Sequence, residues 1–252
     1  MKKFLFLYLF TICSISAQNV DELFTNANDL YKNEKFEQAI ELYKNIESKG
    51  FISSELYYNL GNSYYKLNKV GPSIYYYEKA LQLNPLNEDV QNNLVFAKRL
   101  ALDNIEELPK TVFQKFNANY LQQLSYNQWA IVTVVFCFLA SLFFLLFYLS
   151  QKPSLKRSFF VISVFGFFFL IVSFVITLNQ YNFAKNNKVA IVFAEETSVR
   201  NAPTLNSEEV FTLHEGTKVT VLDSIDDWKK IKLADGKIGW IIAEEIKLLD
   251  NF

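Results

Sequence analysis

The chain has 252 residues, of which 51% are hydrophobic and only 20% charged, and its net charge is -1. A soluble chain carries about a quarter charged residues, so part of this one is expected to sit in lipid. Acidic balances at both ends of the chain argue against nucleic-acid binding, which wants a basic face. The charges are also segregated. Residues 18–108 hold 9 basic and 14 acidic side chains, residues 109–184 hold 5 basic and none acidic, and residues 185–252 hold 9 basic and 12 acidic. Two acidic flanks around an acid-free middle argue against a single globular core.

The start reads Met1-Lys2-Lys3, then an apolar run from Phe4 to Ile15, then Ser16-Ala17-Gln18. A basic start, a run too short to span about 30 Å of hydrocarbon and a small-residue exit predict a secretory signal over residues 1–17, cut after Ala17. Cys13 and Cys137 both fall in apolar stretches, so neither a disulfide framework nor a Cys-based metal site is expected.

Residues 20–85 carry an internal period of 34. Ala27 matches Gly61, Ala39 matches Ser73, Tyr43 matches Tyr77, Ile46 matches Ala80, and Leu30 and Tyr64 share one slot. The second copy ends Ala80-Leu81-Gln82-Leu83-Asn84-Pro85. This pattern resembles the tetratricopeptide repeat. Small residues let the two helices of a hairpin approach, and Leu60, Tyr64 and Tyr77 fill the space between hairpins. The repeats are expected over about 20–53 and 54–87, with a cap helix over 88–102 started by Asn87, all within a domain of residues 18–108. The resemblance implies a stack whose inner face binds peptides. Its positions map to Phe24, Asn28, Tyr31 and Lys32, to Tyr58, Asn62, Tyr65 and Lys66, and to Asn92, Phe96 and Arg99. Some family members bond a peptide backbone or terminal carboxylate with an Asn at the sites of Asn28 and Asn62. Phe24 and Tyr58 replace the basic residues usual one turn earlier, which favours a more aromatic groove. Ordinary packing or solvated surface is the competing reading of each residue.

Residues 109–128 read as a juxtamembrane linker, in which Val112, Phe113, Phe116, Tyr120 and Leu124 form one helical stripe or an irregular segment. Trp129–Leu149 and Phe159–Leu178 are free of charge, and at 1.5 Å per residue each reaches about 30 Å. Both are expected to be transmembrane helices flanked by aromatic residues. The loop between them, 150–158, carries Lys152, Lys156 and Arg157 and is expected to be cytoplasmic. With an N-terminal signal, both flanks then face the periplasm.

From Lys188 the pattern alternates, as in Lys218-Val219-Thr220-Val221-Leu222 and Trp228-Lys229-Lys230-Ile231-Lys232-Leu233, with turn signals at Gly216 and Asp235-Gly236. The set Val199-Arg200-Asn201-Ala202-Pro203, Leu213-His214-Glu215-Gly216, Trp228 and Asp235-Gly236 through Gly239-Trp240-Ile241 resembles the bacterial SH3-like domain over residues 188–248. The expected fold class is therefore a multi-domain membrane protein with all-α tetratricopeptide repeat hairpins, two transmembrane helices and a C-terminal all-β SH3-like barrel. Trp228 and Trp240 are expected to pack the barrel or to contact a peptide or the cell wall.

No catalytic constellation is visible. His214 is the one His, GxSxG, HExxH and Gly-rich phosphate loops are absent, and no cofactor or metal is expected. The order of signal, repeats, two spans and SH3-like domain resembles BatE-type members of the Bacteroides aerotolerance (Bat) family. That resemblance implies an inner-membrane complex tied to aerotolerance or stress in Bacteroidetes. It also implies an ATPase of the MoxR type nearby and membrane partners with von Willebrand A domains. The function expected is a non-enzymatic adaptor that binds protein partners outside the cytoplasm. The alternative is a wall sensor whose SH3-like domain takes peptidoglycan peptides.

Overall fold

The computed structural model describes residues 20–106 and 108–249, so the signal expected over 1–17 lies outside the described residues. The chain divides into two compact units. One holds the helices up to Leu83, the segment from Asn87 to residue 106, and Val189–Leu249; the other holds Leu108–Lys188.

The first unit opens with α1 (residues 20–32), α2 (Phe36–Ser48), α3 (Ser54–Lys66), α4 (Val70–Leu83) and α5 (Glu88–Leu100). Local signals set their ends. Ser53 caps α3 by accepting from Leu56 N, and Asn87 caps α5 by accepting from Val90 N. The turns after α1 and α3 are copies one repeat apart. Lys35 N donates to Leu30 O and Lys69 N to Tyr64 O, and the preceding residues, Glu34 and Asn68, lie at φ 61° and 56°. That is the left-handed closure of a helix end. Within the hairpin of α3 and α4, Gly61 lets the Tyr77 ring lie against the backbone. A Cβ there would stand 2.5 Å from Tyr77 Cδ1.

The same unit contains seven strands: β1 (Lys188–Val192), β2 (Glu196–Arg200), β3 (Glu209–His214), β4 (Lys218–Ile225), β5 (Trp228–Lys232), β6 (Ile238–Ile242) and β7 (Ile246–Leu248). Their order in the sheet is β3-β2-β6-β5-β4-β1-β7. This corrects the expected fold class: the SH3-like part is an open sheet and not a closed barrel. Closure would require β3 to pair with β7, but β3 pairs with β2, and the three-residue β7 pairs with β1 after the tight turn Ala243–Glu245. Irregularities between Val199 and Arg200 and between Val221 and Asp223 curve the sheet without joining its edges. The core against the sheet buries Val192, Val199, Leu213, Val219, Ile231 and Ile241.

Repeats and sheet form one unit, held by α4 and by the strap that follows α5. Every residue from Ser73 to Ala80 is buried, because α4 packs against α3, α5 and the sheet together. Tyr75 meets the Phe193 ring edge-on at 5.6 Å, and the Lys247 ammonium lies 4.5 Å from the Tyr75 ring centre. Gly71 N donates to Glu215 Oε1 at 3.0 Å. Glu78 receives Lys218 Nζ at 2.7 Å and Lys98 Nζ at 3.1 Å. In the strap, Ile105 packs on the sheet core, and Asp103 accepts from His214 N at 2.7 Å and from Thr217 Oγ1. His214 Nδ1 stands 2.7 Å from Asp103 Oδ1, and as an ionised carboxylate can only accept, the proton is on Nδ1.

The second unit is a helical hairpin of α7 (Tyr126–Leu149) and α8 (Pro153–Asn186), preceded by the short α6 (Val112–Phe116) and one π turn over Asn117–Leu121. Thr111 with Gln114, and Ser125 with Gln128, form capping boxes at the starts of α6 and α7. The connection between α7 and α8 is only Ser150–Lys152, because Pro153 sits in the first turn of α8, where its missing N–H costs nothing. Both helices are long and apolar enough to cross a membrane by length and composition, and that is the extent to which the membrane part of the expected fold class stands. α8 has 34 residues, so at ~1.5 Å per residue it exceeds a ~30 Å hydrocarbon core by several turns. Gly166 meets Ala140: a Cβ at Gly166 would lie 3.3 Å from Ala140 Cα. Ser163 Oγ donates to Ala140 O, and Thr133 and Thr177 share a hydroxyl contact at 3.2 Å.

Burial alone would raise the Glu78 carboxyl, but the charges and hydrogen bonds of Lys218 and Lys98 outweigh it and bring it to about 2. Its folded value is depressed, so the stability it contributes is fully present above the ordinary value of 4.5 and is lost as pH falls from there toward about 2. Glu78→Gln should flatten that acid limb in thermal melts. It should also lower stability at neutral pH by about 1–3 kcal/mol, the cost of losing charge-assisted bonds.

Candidate functional site on the inner face of the repeats

The first helices of successive repeats are joined by a polar seam that repeats with the sequence. Tyr43 Oη donates to Asn28 Oδ1 at 2.6 Å, and Asn59 Nδ2 donates to the same oxygen at 2.9 Å. One period later Tyr77 Oη donates to Asn62 Oδ1 at 2.6 Å, and Asn93 Nδ2 donates to it at 2.8 Å. Each asparagine oxygen thus fixes the tyrosine of its own hairpin and receives an amide from the first helix of the next. Burial pushes the phenols of Tyr43 and Tyr77 well above the ordinary tyrosine value, which keeps both as donors.

The structure brings Asn28, Tyr31, Tyr58 and Asn62 to this seam. Tyr58 Oη accepts from Asn93 Nδ2 at 3.2 Å, and its ring lies 6.2 Å from that of Tyr77. Tyr31 packs edge-on to Phe36 at 5.3 Å; burial first, then the neighbouring Tyr58 phenol, raises its pKa. Phe24 packs against Tyr43 at 5.8 Å and is half-buried. Tyr65 is half-buried, while Lys32, Lys66, Asn92, Phe96 and Arg99 are exposed. Lys32 pairs with Asp29 at 3.1 Å, and Arg99 lies over the Phe96 ring at 5.4 Å. Lys66 has no carboxylate partner among the described residues.

Two consequences follow for chemistry. The Oδ1 atoms of Asn28 and Asn62 are fully engaged and cannot take a further donor easily. Their Nδ2 groups make no bond to any described residue, so each can donate to a carbonyl or carboxylate laid along the face. Sequence reasoning picked Asn28 and Asn62 but missed Asn59 and Asn93, although these are also 34 residues apart. The family's asparagine position drew attention to the first pair, and the second pair carries only the period as its signal.

On the sheet, Trp240 is buried and Trp228 is half-buried. The Lys230 ammonium lies 5.8 Å from the Trp240 ring centre, and Lys230 and Trp240 are direct cross-strand partners. Among the described residues, no group of three or more His, Cys, Asp or Glu is placed to hold a metal ion.

Residues 54–87 match the family model described as tetratricopeptide repeat, and residues 195–247 match that described as bacterial SH3 domain. The chain therefore carries a tetratricopeptide repeat domain and an SH3-like domain. No curated protein matches the chain.

The seam predicts an unequal response to truncation. Asn62→Ala removes the acceptor for the buried Tyr77 hydroxyl and for Asn93, and should cost about 1–3 kcal/mol. Asn92→Ala, one residue from Asn93 but exposed, should stay within about 0.5 kcal/mol in the same chemical denaturation.

Proposed function

We propose that this chain is a non-enzymatic, membrane-anchored scaffold that holds an extended protein segment on the inner face of its repeats. The observation that carries this reading is the seam. It presents two amide donors one repeat apart, on helices whose spacing is fixed by the bonds to Asn28 and Asn62 Oδ1. An extended segment needs regularly spaced donors for its backbone carbonyls, and side-chain amides on a rigid stack provide them. Lys66 and Arg99 on the same exposed face favour a segment that bears carboxylates, and Phe96, 50% exposed, offers it an apolar contact. The sheet packs on α4, the second helix of its hairpin, so the first helices α1, α3 and α5 keep their face for a partner.

Anchoring is supported by α7 and α8, and sidedness by chain connectivity. The repeats and the sheet bond to each other, so the segment between them has to cross any membrane an even number of times. Two spans satisfy this. The basic connection and the expected signal favour a periplasmic location for both flanks at an inner membrane. The order of elements supports a setting in a Bat-type complex linked to aerotolerance, with von Willebrand A membrane proteins as partners.

A photo-crosslinking side chain at Phe96 should capture a membrane partner in intact cells, whereas one at Gln38, exposed on α2, should not. Lys66→Glu combined with Arg99→Glu should abolish the Phe96 adduct. Equal labelling from both positions would sink the groove assignment. For location, a periplasm-active reporter at Asn251 should be active and one in the Ser150–Lys152 connection silent. A silent Asn251 reporter would overturn the periplasmic placement.

A further inference from the structure

The SH3-like sheet has a polar cleft that the scaffold reading does not use. It encloses about 350 Å³ and is lined by Glu196, Ser198, Arg200, Leu205, Ile242 and Glu245, with Thr197 at its base. Its volume suits one small molecule. Glu196, Ser198 and Arg200 alternate along β2 with the buried Thr197 and Val199, so strand geometry puts all three on one side. Glu245 arrives from the turn before β7, where Thr197 Oγ1 donates to its Oε2.

The charges in this cleft are unusually open. Arg200 uses Nη1 to donate to Ser207 O at 2.6 Å, which fixes the guanidinium while leaving most of its five N–H groups. Glu209, in register with Arg200, is stabilised in part by the guanidinium charge, but its oxygens accept from Ser198 and Thr212 and no ion pair joins it to Arg200. The Glu196 carboxylate is exposed and has no partner among the described residues, and Glu245 keeps Oε1 free. One fixed guanidinium thus shares a cleft with two carboxylates that lack cations, and Leu205 and Ile242 supply apolar wall between them.

The geometry points to a site for a small zwitterion of the α-amino-acid type. Its ammonium group sits between Glu196 and Glu245, its carboxylate meets Arg200, and its side chain lies against Leu205 and Ile242. A simple anion would face two uncompensated carboxylates, and a simple cation would face the guanidinium. A ligand bearing both charges a few ångströms apart satisfies every group. Trp228 is the direct cross-strand partner of Ile242, so a larger side chain would reach its ring.

The test is calorimetric titration of the full chain in detergent with leucine, leucine methyl ester and N-acetylleucine. Leucine should bind at millimolar concentration, and each blocked form should bind at least about tenfold more weakly. Glu196→Gln, an exposed change that leaves the sheet bonds intact, should weaken leucine about tenfold, and Arg200→Gln should do so too. Circular dichroism on both variants checks that the fold is kept. Equal binding of leucine and its methyl ester would overturn the role of Arg200, and with it the proposal. Absence of binding by leucine to the unaltered chain would overturn it outright. Either failure leaves the repeat groove untouched, because the groove test uses residues of α2, α3 and α5 and none of the sheet.

Discussion

Two carboxylates tie together parts of the chain that are far apart in sequence. Glu78 and Lys218 are separated by 140 residues, and Asp103 and His214 by 111. Glu78 receives two ammonium groups, and Asp103 receives a backbone amide, a hydroxyl and an imidazole. Such carboxylates are costly to bury unless every lone pair finds a donor, and here the donors come mostly from the sheet. Holding them makes repeats and sheet a single unit, although an entire helical hairpin separates them in the chain.

The repeat block is short for its kind. Two helical hairpins and one further helix make up the block, and stacked repeats need their end faces covered. Among the described residues no further helix follows α5 directly, and the chain passes instead into the strap that carries Asp103 and Ile105. The sheet covers α4 through Gly71, Tyr75 and Glu78, whereas Tyr77 of the same helix reaches the polar seam, so the two use different faces of α4. Inside the stack, the asparagine seam repeats what the turns repeat. Glu34 and Asn68 close the first helices alike, and Asn28 and Asn62 then join those helices to their neighbours at the same height.

Much of this was legible from residue patterns, and the failures have physical causes. The period of 34 placed the hairpins, because small residues at close approaches recur with the structure. Charge-free runs of about 20 residues marked α7 and α8, since little else in a chain reads that way. Alternation and Gly/Asp turns located the strands. Closure of the sheet was not legible, because strand patterns carry the faces of a sheet but not the pairing of its edges. The docking of repeats on the sheet was equally hidden. Glu78, Asp103, His214 and Lys218 look like ordinary surface residues, and only the fold brings them together. The seam was half legible: a known position of family asparagines pointed to Asn28 and Asn62, while Asn59 and Asn93 had no such prompt. The sheet cleft had no linear signature, as Glu196, Arg200 and Glu245 meet only through the fold.

The burial of α4 has a consequence for how the protein is made. Eight consecutive residues, Ser73 to Ala80, lose their solvent exposure, and part of that cover comes from strands that begin only at Lys188. During synthesis the repeats therefore emerge long before their cover. Until β1 and β4 arrive, the Tyr75 ring and the Glu78 carboxylate stand open. Exposed faces of this kind attract premature association. The interval between the two halves is thus the most vulnerable stage in the life of the molecule. A chain cut after α8 would remain in that stage permanently, folded in its helices yet adhesive along one side.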